Sequence, residues 1–178
     1  MRKAFSLPEM LVVIAIIVSL AAISYPALLG AKQSAGRTKC LSNLKQIHVS
    51  LMTYRVEWDG DGQYGDSRQM GLPDTPAGIC PSGLFACGGL DFDGGPGGYD
   101  VMWSPDRNDG RSPRWSDYAK SLYDGVILMV DDNHDLSPDG RFSPLKTHRV
   151  AGLYLDGHVQ TIVKRGDIRS LDFYHELK

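Results

Sequence analysis

The sequence predicts an α+β fold, in which one long amino-terminal helix packs on a small antiparallel sheet and the connections are long and rich in glycine and proline. Three features predict this class. An uncharged apolar stretch covers residues 10–31, an apolar stripe with a helical period follows it, and an Asp-Gly pair separates two apolar runs near the carboxyl end. The 178 residues carry a net charge of −2. A net charge this close to zero, and negative, gives no indication of a nucleic-acid partner.

The apolar stretch is long enough to cross a bilayer, since its 22 residues would span about 33 Å as a helix. Arg2 and Lys3 precede it, as is typical of a segment whose amino end stays in the cytoplasm. A cleaved secretory signal is disfavoured because Leu29 stands where a small residue is needed. A plain anchor helix leaves Glu9 unexplained, because a charge at the edge of such a segment usually has a partner.

The helical pattern continues beyond the apolar stretch. Apolar side chains recur every three or four residues and so share one face of a helix, namely Cys40, Leu44, Ile47, Leu51, Tyr54 and Trp58. Joined to the apolar stretch, this stripe predicts one helix over residues 5–58. Residues 5–30 form its membrane half, and residues 31–58 form an amphipathic half that packs on a head.

The rest of the chain predicts a head of loops and strands. Residues 59–122 contain 13 of the 20 glycines and six of the ten prolines, which predicts mainly loop. Residues 123–178 predict the sheet, with a strand at 125–130 and a β-hairpin at 150–163, because Asp-Gly suits the positive φ angles of a tight turn. A closing helical turn is expected at 168–177. Three antiparallel strands would then cover the apolar stripe.

The first thirty residues carry a motif with a specific resemblance. The run KAFSLPEMLVVI at residues 3–14 resembles the processing site of type IV prepilins and type II secretion pseudopilins, and Pro26 matches the proline of their helix. The resemblance implies a leader at residues 1–4, cleavage after Ala4, methylation of Phe5 and a pilin-like fold. Ala4 departs from the family pattern, which strongly favours glycine before the cut.

The same resemblance implies a function. Glu9 would neutralise the Phe5 ammonium of a neighbouring subunit, so that Phe5, Glu9 and Pro26 serve assembly, and such a buried pair fixes register. The chain would be a structural filament subunit of a pilus or pseudopilus, not an enzyme, held in the bacterial inner membrane with its head outside the cytoplasm. The implied partners are copies of itself or related pilins, the prepilin peptidase, the inner-membrane assembly platform and membrane lipid.

A second resemblance covers parts of the head. The run KCLSNLKQI at residues 39–47 resembles a large bacterial subgroup of prepilin-like proteins, whose heads carry a Cys-Pro-Ser element and a late His…Asp-Gly pattern. Here these correspond to residues 80–82 and to His148 with Asp156 and Gly157. The spacing from His148 to Asp156 is two residues shorter than is usual in that subgroup. We expect His148 to hydrogen-bond loop backbone near the hairpin.

Three cysteines allow at most one internal disulfide, and the compartment outside the inner membrane permits it. A Cys40–Cys80 bond would tie a loop to the helix, whereas a Cys80–Cys87 bond would close a small loop and stabilise it less. The sequence leaves both pairings open.

No cofactor is expected. Asp131, Asp132 and Asp135 are candidate calcium ligands, but they do not match the calcium loop of major pseudopilins, so solvated loop carboxylates are favoured. An anchored hydrolase is the remotest hypothesis, because no nucleophile motif accompanies His148 and Asp156. The second hypothesis is a membrane-anchored binding module, whose head loops contact a ligand or surface polymer.

Overall fold

The computed structural model describes residues 7–58, 64, 67–73, 76, 79–80, 84, 98–103, 115–132, 144–168 and 170–175. In chain order the elements are α1 (Leu7–Trp58), β1 (Asp100–Val101), α2 (Trp115–Leu122), a 3-10 turn (Tyr123–Gly125), β2 (Ile127–Asp131), β3 (Thr147–Tyr154), β4 (Val159–Arg165) and α3 (Asp172–His175). One long amino-terminal helix and a small antiparallel sheet confirm the predicted α+β, pilin-like class. The chain divides into two compact units, Met1–Arg37 and Thr38–Lys178.

The first unit contains the amino-terminal part of α1. Its side chains over residues 7–35 are all exposed, and the helix is long and apolar enough to cross a membrane. Pro26 lies inside the helix, as predicted. Its ring removes one N–H donor, so the carbonyl of Ala22 loses its usual partner one turn later.

Two serine hydroxyls within the apolar stretch satisfy their hydrogen bonds inside the helix. Ser19 donates to the carbonyl oxygen of Ala15 at 2.7 Å, and Ser24 donates to that of Leu20 at 2.9 Å. A hydroxyl without a partner is costly in an apolar medium. These bonds therefore make both serines compatible with a membrane environment.

The second unit packs the carboxyl-terminal part of α1 on the sheet. Four side chains of the predicted stripe are fully buried in the core, namely Cys40, Leu44, Ile47 and Leu51. Their spacing confirms the predicted core-facing side. The last two members differ, because Tyr54 is only half-buried and Trp58 is 68% exposed. The stripe therefore leaves the core before the helix ends.

The sheet has four antiparallel strands in the order β1-β2-β3-β4. The predicted hairpin is confirmed, with β3 and β4 paired from Thr147 opposite Arg165 to Leu153 opposite Val159. β2 is buried along its whole length between β1 and β3. The short β1 adds a strand that the three-strand prediction omits, because two residues in a glycine-rich region carry no alternating pattern.

The region 59–122 is predicted as loop, yet it contains β1 and α2. Trp115 and Ala119 lie one turn apart in α2 and are both buried. The indole Nε1 of Trp115 donates to the carbonyl oxygen of Ile127 at 2.7 Å, which ties the helix to the start of β2. Because α2 has only eight residues, its stability depends on this packing rather than on helix propensity.

The predicted closing turn is confirmed as α3. Phe173 and Tyr174 are buried, and the Tyr174 hydroxyl donates to the carbonyl oxygen of Ile168 at 2.5 Å. From the sheet, the Tyr154 hydroxyl donates to the carbonyl oxygen of Tyr174 at 3.2 Å. These bonds fasten α3 to the end of β3.

The packing of α3 predicts a dependence on pH. The His175 ring stacks on Tyr118 with centroids 4.5 Å apart and lies edge-on to Tyr154. Burial lowers the pKa of His175 to about 4, and the nearby Asp172 carboxylate opposes this shift only in part. The unfolded chain binds the proton near pH 6.5, whereas the folded chain binds it only near pH 4.

The free energy of unfolding should therefore decrease as the pH falls from about 6.5 to about 4, with no further loss from this group below that. Chemical denaturation at pH 7 and pH 5 measures the effect. His175→Phe keeps an aromatic ring and removes the titrating group, so the variant should lose less stability over this interval. An equal loss in both proteins would contradict the prediction.

Candidate functional site

The residues of the predicted processing motif lie at the start of the chain. Ala4 and Phe5 lie outside the described residues. Glu9 is exposed in the first turn of α1, where the partial positive charge of the helix amino end favours a carboxylate. Glu9 and Pro26 are thus on one helix, at the beginning and within the apolar stretch.

Exposed large apolar side chains lie on all sides of α1 over residues 7–29. Large apolar side chains there are about half exposed or more, and Leu7 and Ile23 reach 76%. Monomeric soluble proteins rarely expose contiguous apolar patches of more than a few hundred Å². This part of α1 therefore suits lipid or the apolar faces of other helices.

The Asp-Gly turn is docked on α1 by a histidine. Gly157 has φ +88, and a Cβ atom at this position would lie 2.6 Å from Cε1 of His48. The Nε2 atom of His48 lies 3.0 Å from the carbonyl oxygen of Leu155. A carbonyl oxygen can only accept, so Nε2 carries the hydrogen. Glycine is required here both by its backbone angle and by the close approach of the ring.

Asp156 stabilises the same turn. Its Oδ1 accepts hydrogen bonds from the backbone N–H of His158 at 3.0 Å and from Nδ1 of that residue at 2.5 Å. The backbone N–H groups of Leu155 and Asp156 donate to carbonyl oxygens of Val126 and Asp124, both at 2.9 Å. The turn is therefore hydrogen-bonded to the residues that directly precede β2, and it also packs on α1.

The structure does not bring His148 and Asp156 together. His148 lies near the start of β3, fully buried, with Lys164 as its partner in register. Its ring meets Phe173 edge-on at 6.5 Å. Asp156 follows the other end of β3, and eight residues of strand span about 26 Å. His148 thus lies at the open end of the hairpin, whereas the histidines near the turn are His48 and His158.

His48 is a residue that the sequence patterns do not indicate. It follows Ile47 on α1, directly beside the buried stripe, and no motif singles it out. Its partner residue, Leu155, lies 107 positions away along the chain. A contact of this sequence separation exists only once the hairpin has packed on the helix.

The cysteines differ from both pairings that the sequence leaves open. Cys80 is a buried free thiol, whereas Cys40 is disulfide-bonded, so the structure contains neither predicted pairing. The Cys80 thiol hydrogen-bonds with the side chain of Ser50, although burial is the larger effect and raises the pKa of the thiol. Ser50 lies about 15 Å beyond Cys40 along the helix axis. This position of Cys80 further along the helix agrees with its free thiol.

This geometry predicts the pairing of Cys40. Cys87 is the remaining cysteine and lies outside the described residues. The Asn43 side chain, less than one turn from Cys40, donates to the carbonyl oxygen of Leu84 at 3.0 Å. The chain thus reaches the Cys40 end of the core three residues before Cys87.

We expect non-reducing digestion of the oxidised protein to yield a linked Cys40–Cys87 peptide, identified by mass spectrometry. Cys80 should be alkylated only after unfolding, because it is buried. Cys87→Ser should remove the linked peptide. Recovery of Cys80 in a crosslink, or of all three cysteines as thiols, would contradict this pairing.

Two of the candidate calcium ligands are not solvated loop residues. Asp131 is the last residue of β2 and is 2% exposed, and Asp132 is 9% exposed. Asp131 ends β2, which is buried along its whole length, and it pairs with Ala151 of β3. Asp135 lies outside the described residues. Within the described ranges, no group of three or more His, Cys, Asp or Glu side chains could hold a metal ion.

The motif residues within the described ranges thus lie in two separate parts of the structure, the amino-terminal helix and the hairpin turn. Glu9 and Pro26 belong to an exposed apolar helix, whereas Asp156 and Gly157 form a turn that packs on α1 through His48. Models of known protein families do not match this chain, and neither do curated proteins or solved structures.

Proposed function

We propose that this chain is a structural subunit of a bacterial type IV pilus or type II secretion pseudopilus, polymerised through α1. The observation that carries the proposal is the exposed apolar surface over residues 10–31, on the same helix whose later residues contribute to the core of the head. A signal sequence needs no such continuity with a folded core. A subunit that leaves the membrane for a filament does need its apolar helix to be continuous with the folded core.

The apolar helix would lie in lipid before assembly and among other helices in the filament, and these two environments require different contacts. In lipid, the hydrophobic effect does not drive helices together, because the surrounding chains are as apolar as the side chains. Association then depends on packing and on polar pairs. Glu9 supplies the carboxylate of such a pair, and the Phe5 ammonium of a neighbouring subunit, created by cleavage after Ala4, supplies the positive charge. A subunit in the wrong register would leave both charges unpaired.

The proposal includes the partners and the location of the chain. A prepilin peptidase removes residues 1–4, the inner-membrane assembly platform moves the subunit, and copies of itself or related pilins surround it in the filament. Before assembly, the helix lies in the inner membrane with the head outside the cytoplasm. The role is mechanical, and the head contributes stability and surface rather than catalysis.

Mass spectrometry of the mature amino terminus tests this proposal. We expect the chain to begin at Phe5 with a methylated amino group. Ala4→Gly matches the family pattern and serves as the positive control, which should be processed at least as fast. An intact Met1 terminus in the membrane fraction, or a cut near Ala31, would exclude the prepilin assignment.

A further inference from the structure

The carboxyl end of α1 presents two aromatic rings that the helical stripe predicts to be buried. Trp58 is 68% exposed, and its ring stacks on Tyr54 with centroids 5.5 Å apart and planes at 22°. Tryptophan is highly buried on average, because its large apolar surface favours the interior. A head that only needed to fold would be stabilised by covering this ring. The exposed indole is therefore a candidate contact surface.

These rings form one wall of a groove on the head. Its volume is about 250 Å³, and its lining residues are Tyr54, Trp58, Arg68, Gly71, Leu72 and Pro73. Pockets for drug-sized ligands are larger, about 300–1,000 Å³. The groove thus suits one ring of a longer molecule that extends beyond it.

The other lining residues belong to a loop that two hydrogen bonds hold in place. Arg55 of α1 donates its Nε–H to the carbonyl oxygen of Met70 at 2.7 Å. The buried Trp103 donates its indole N–H to the carbonyl oxygen of Pro73, also at 2.7 Å. Between these anchors Gly71 turns the chain with φ 70. A site with fixed walls binds at a lower ordering cost than a flexible one.

We propose that this groove binds one sugar ring of a glycan. A pyranose has an apolar face of C–H groups and a rim of hydroxyls. The indole of Trp58, supported by Tyr54, offers a flat apolar surface for the face of the sugar. Arg68 carries a guanidinium with N–H donors for the hydroxyl rim.

The lining residues disfavour other ligands. Among the described lining residues Arg68 is the one with a charged side chain, and its positive charge opposes a cationic ligand such as a quaternary ammonium. A nucleobase would also stack on an aromatic ring, but the net charge of −2 disfavours a polyanionic strand. Glycan binding would make the head a binding module of the kind given above as the second hypothesis, with a sugar polymer as its ligand. It does not depend on whether the chain assembles into a filament.

Binding of soluble polysaccharides to the full-length protein in detergent tests the proposal. The probes are the uncharged polysaccharides xylan, mixed-linkage β-glucan and galactomannan, measured by isothermal titration, with a thymidine oligonucleotide as the competing class. We expect at least one polysaccharide to bind, and Trp58→Ala to weaken it at least about tenfold, as for loss of an aromatic stacking platform. Trp58→Phe keeps a ring and should stay within about threefold of the wild type.

Tyr123→Ala is the matched control, because Tyr123 is an exposed aromatic residue that does not line the groove. Its affinity should equal that of the wild type. The proposal is overturned if none of the three polysaccharides binds, if Trp58→Ala binds as well as the wild type, or if only the oligonucleotide binds. Filament yield of Trp58→Ala is measured in parallel and should be normal, so that a failure of glycan binding is distinguishable from a failure of assembly.

Discussion

Glu9→Ala is expected to abolish filament assembly while the protein remains in the membrane with a folded head. Insertion should persist, because the change makes the segment more apolar. The head should fold, since its core begins at Cys40 in the second unit. Addition to a filament should fail, because the Phe5 ammonium would be buried without its partner, at a cost of about 3–5 kcal/mol.

The measurement is the yield of sheared surface filaments relative to the membrane pool, at matched expression. Glu57→Ala is the control, because it removes an exposed carboxylate near the other end of the same helix and should assemble normally. Glu9→Asp shortens the side chain by one methylene and should be intermediate. The amino terminus of each variant is sequenced to separate a processing defect from an assembly defect. Normal filaments from processed Glu9→Ala would refute the ion-pair account.

Gly157→Ala should destabilise the head by about 2–5 kcal/mol. The left-handed backbone angle accounts for about 1–2 kcal/mol of this, since a Cβ atom crowds the backbone at φ +88. The remainder, about 1–3 kcal/mol, comes from overpacking, because the new atom would lie 2.6 Å from the ring of His48. The ring is also held by its bond to Leu155, so it cannot move aside freely.

Chemical denaturation followed by tryptophan fluorescence measures this effect. Gly125→Ala is the matched control, because it lies in the head, has nothing within 4 Å of the new Cβ and has no positive φ. Combining Gly157→Ala with His48→Ala should recover the overpacking part of the loss but not the backbone part, as a double-mutant cycle would show. If Gly157→Ala were as stable as Gly125→Ala, the docking of the turn on His48 would not matter for stability.

Local patterns determined much of the fold from the sequence alone. The uncharged stretch and the apolar stripe specify α1, because a helical period repeats over many turns and sums many weak signals. The hairpin follows from Asp156 and Gly157, since only a few residue types tolerate its backbone angles. The resemblance at Phe5 and Glu9 is likewise read from adjacent residues and needs no tertiary information.

Only the tertiary structure decided the contacts between distant segments. The short β1 exists because β2 offers it backbone partners, and two residues carry no pattern of their own. Cys80 lies beside Ser50 rather than Cys40 because the loop crosses α1 further along its axis. His48 meets the hairpin turn, and Trp58 is left exposed beside a fixed loop, because packing brings together residues that the chain separates widely. Such contacts depend on how the loops cross the helix and sheet, which no local periodicity encodes.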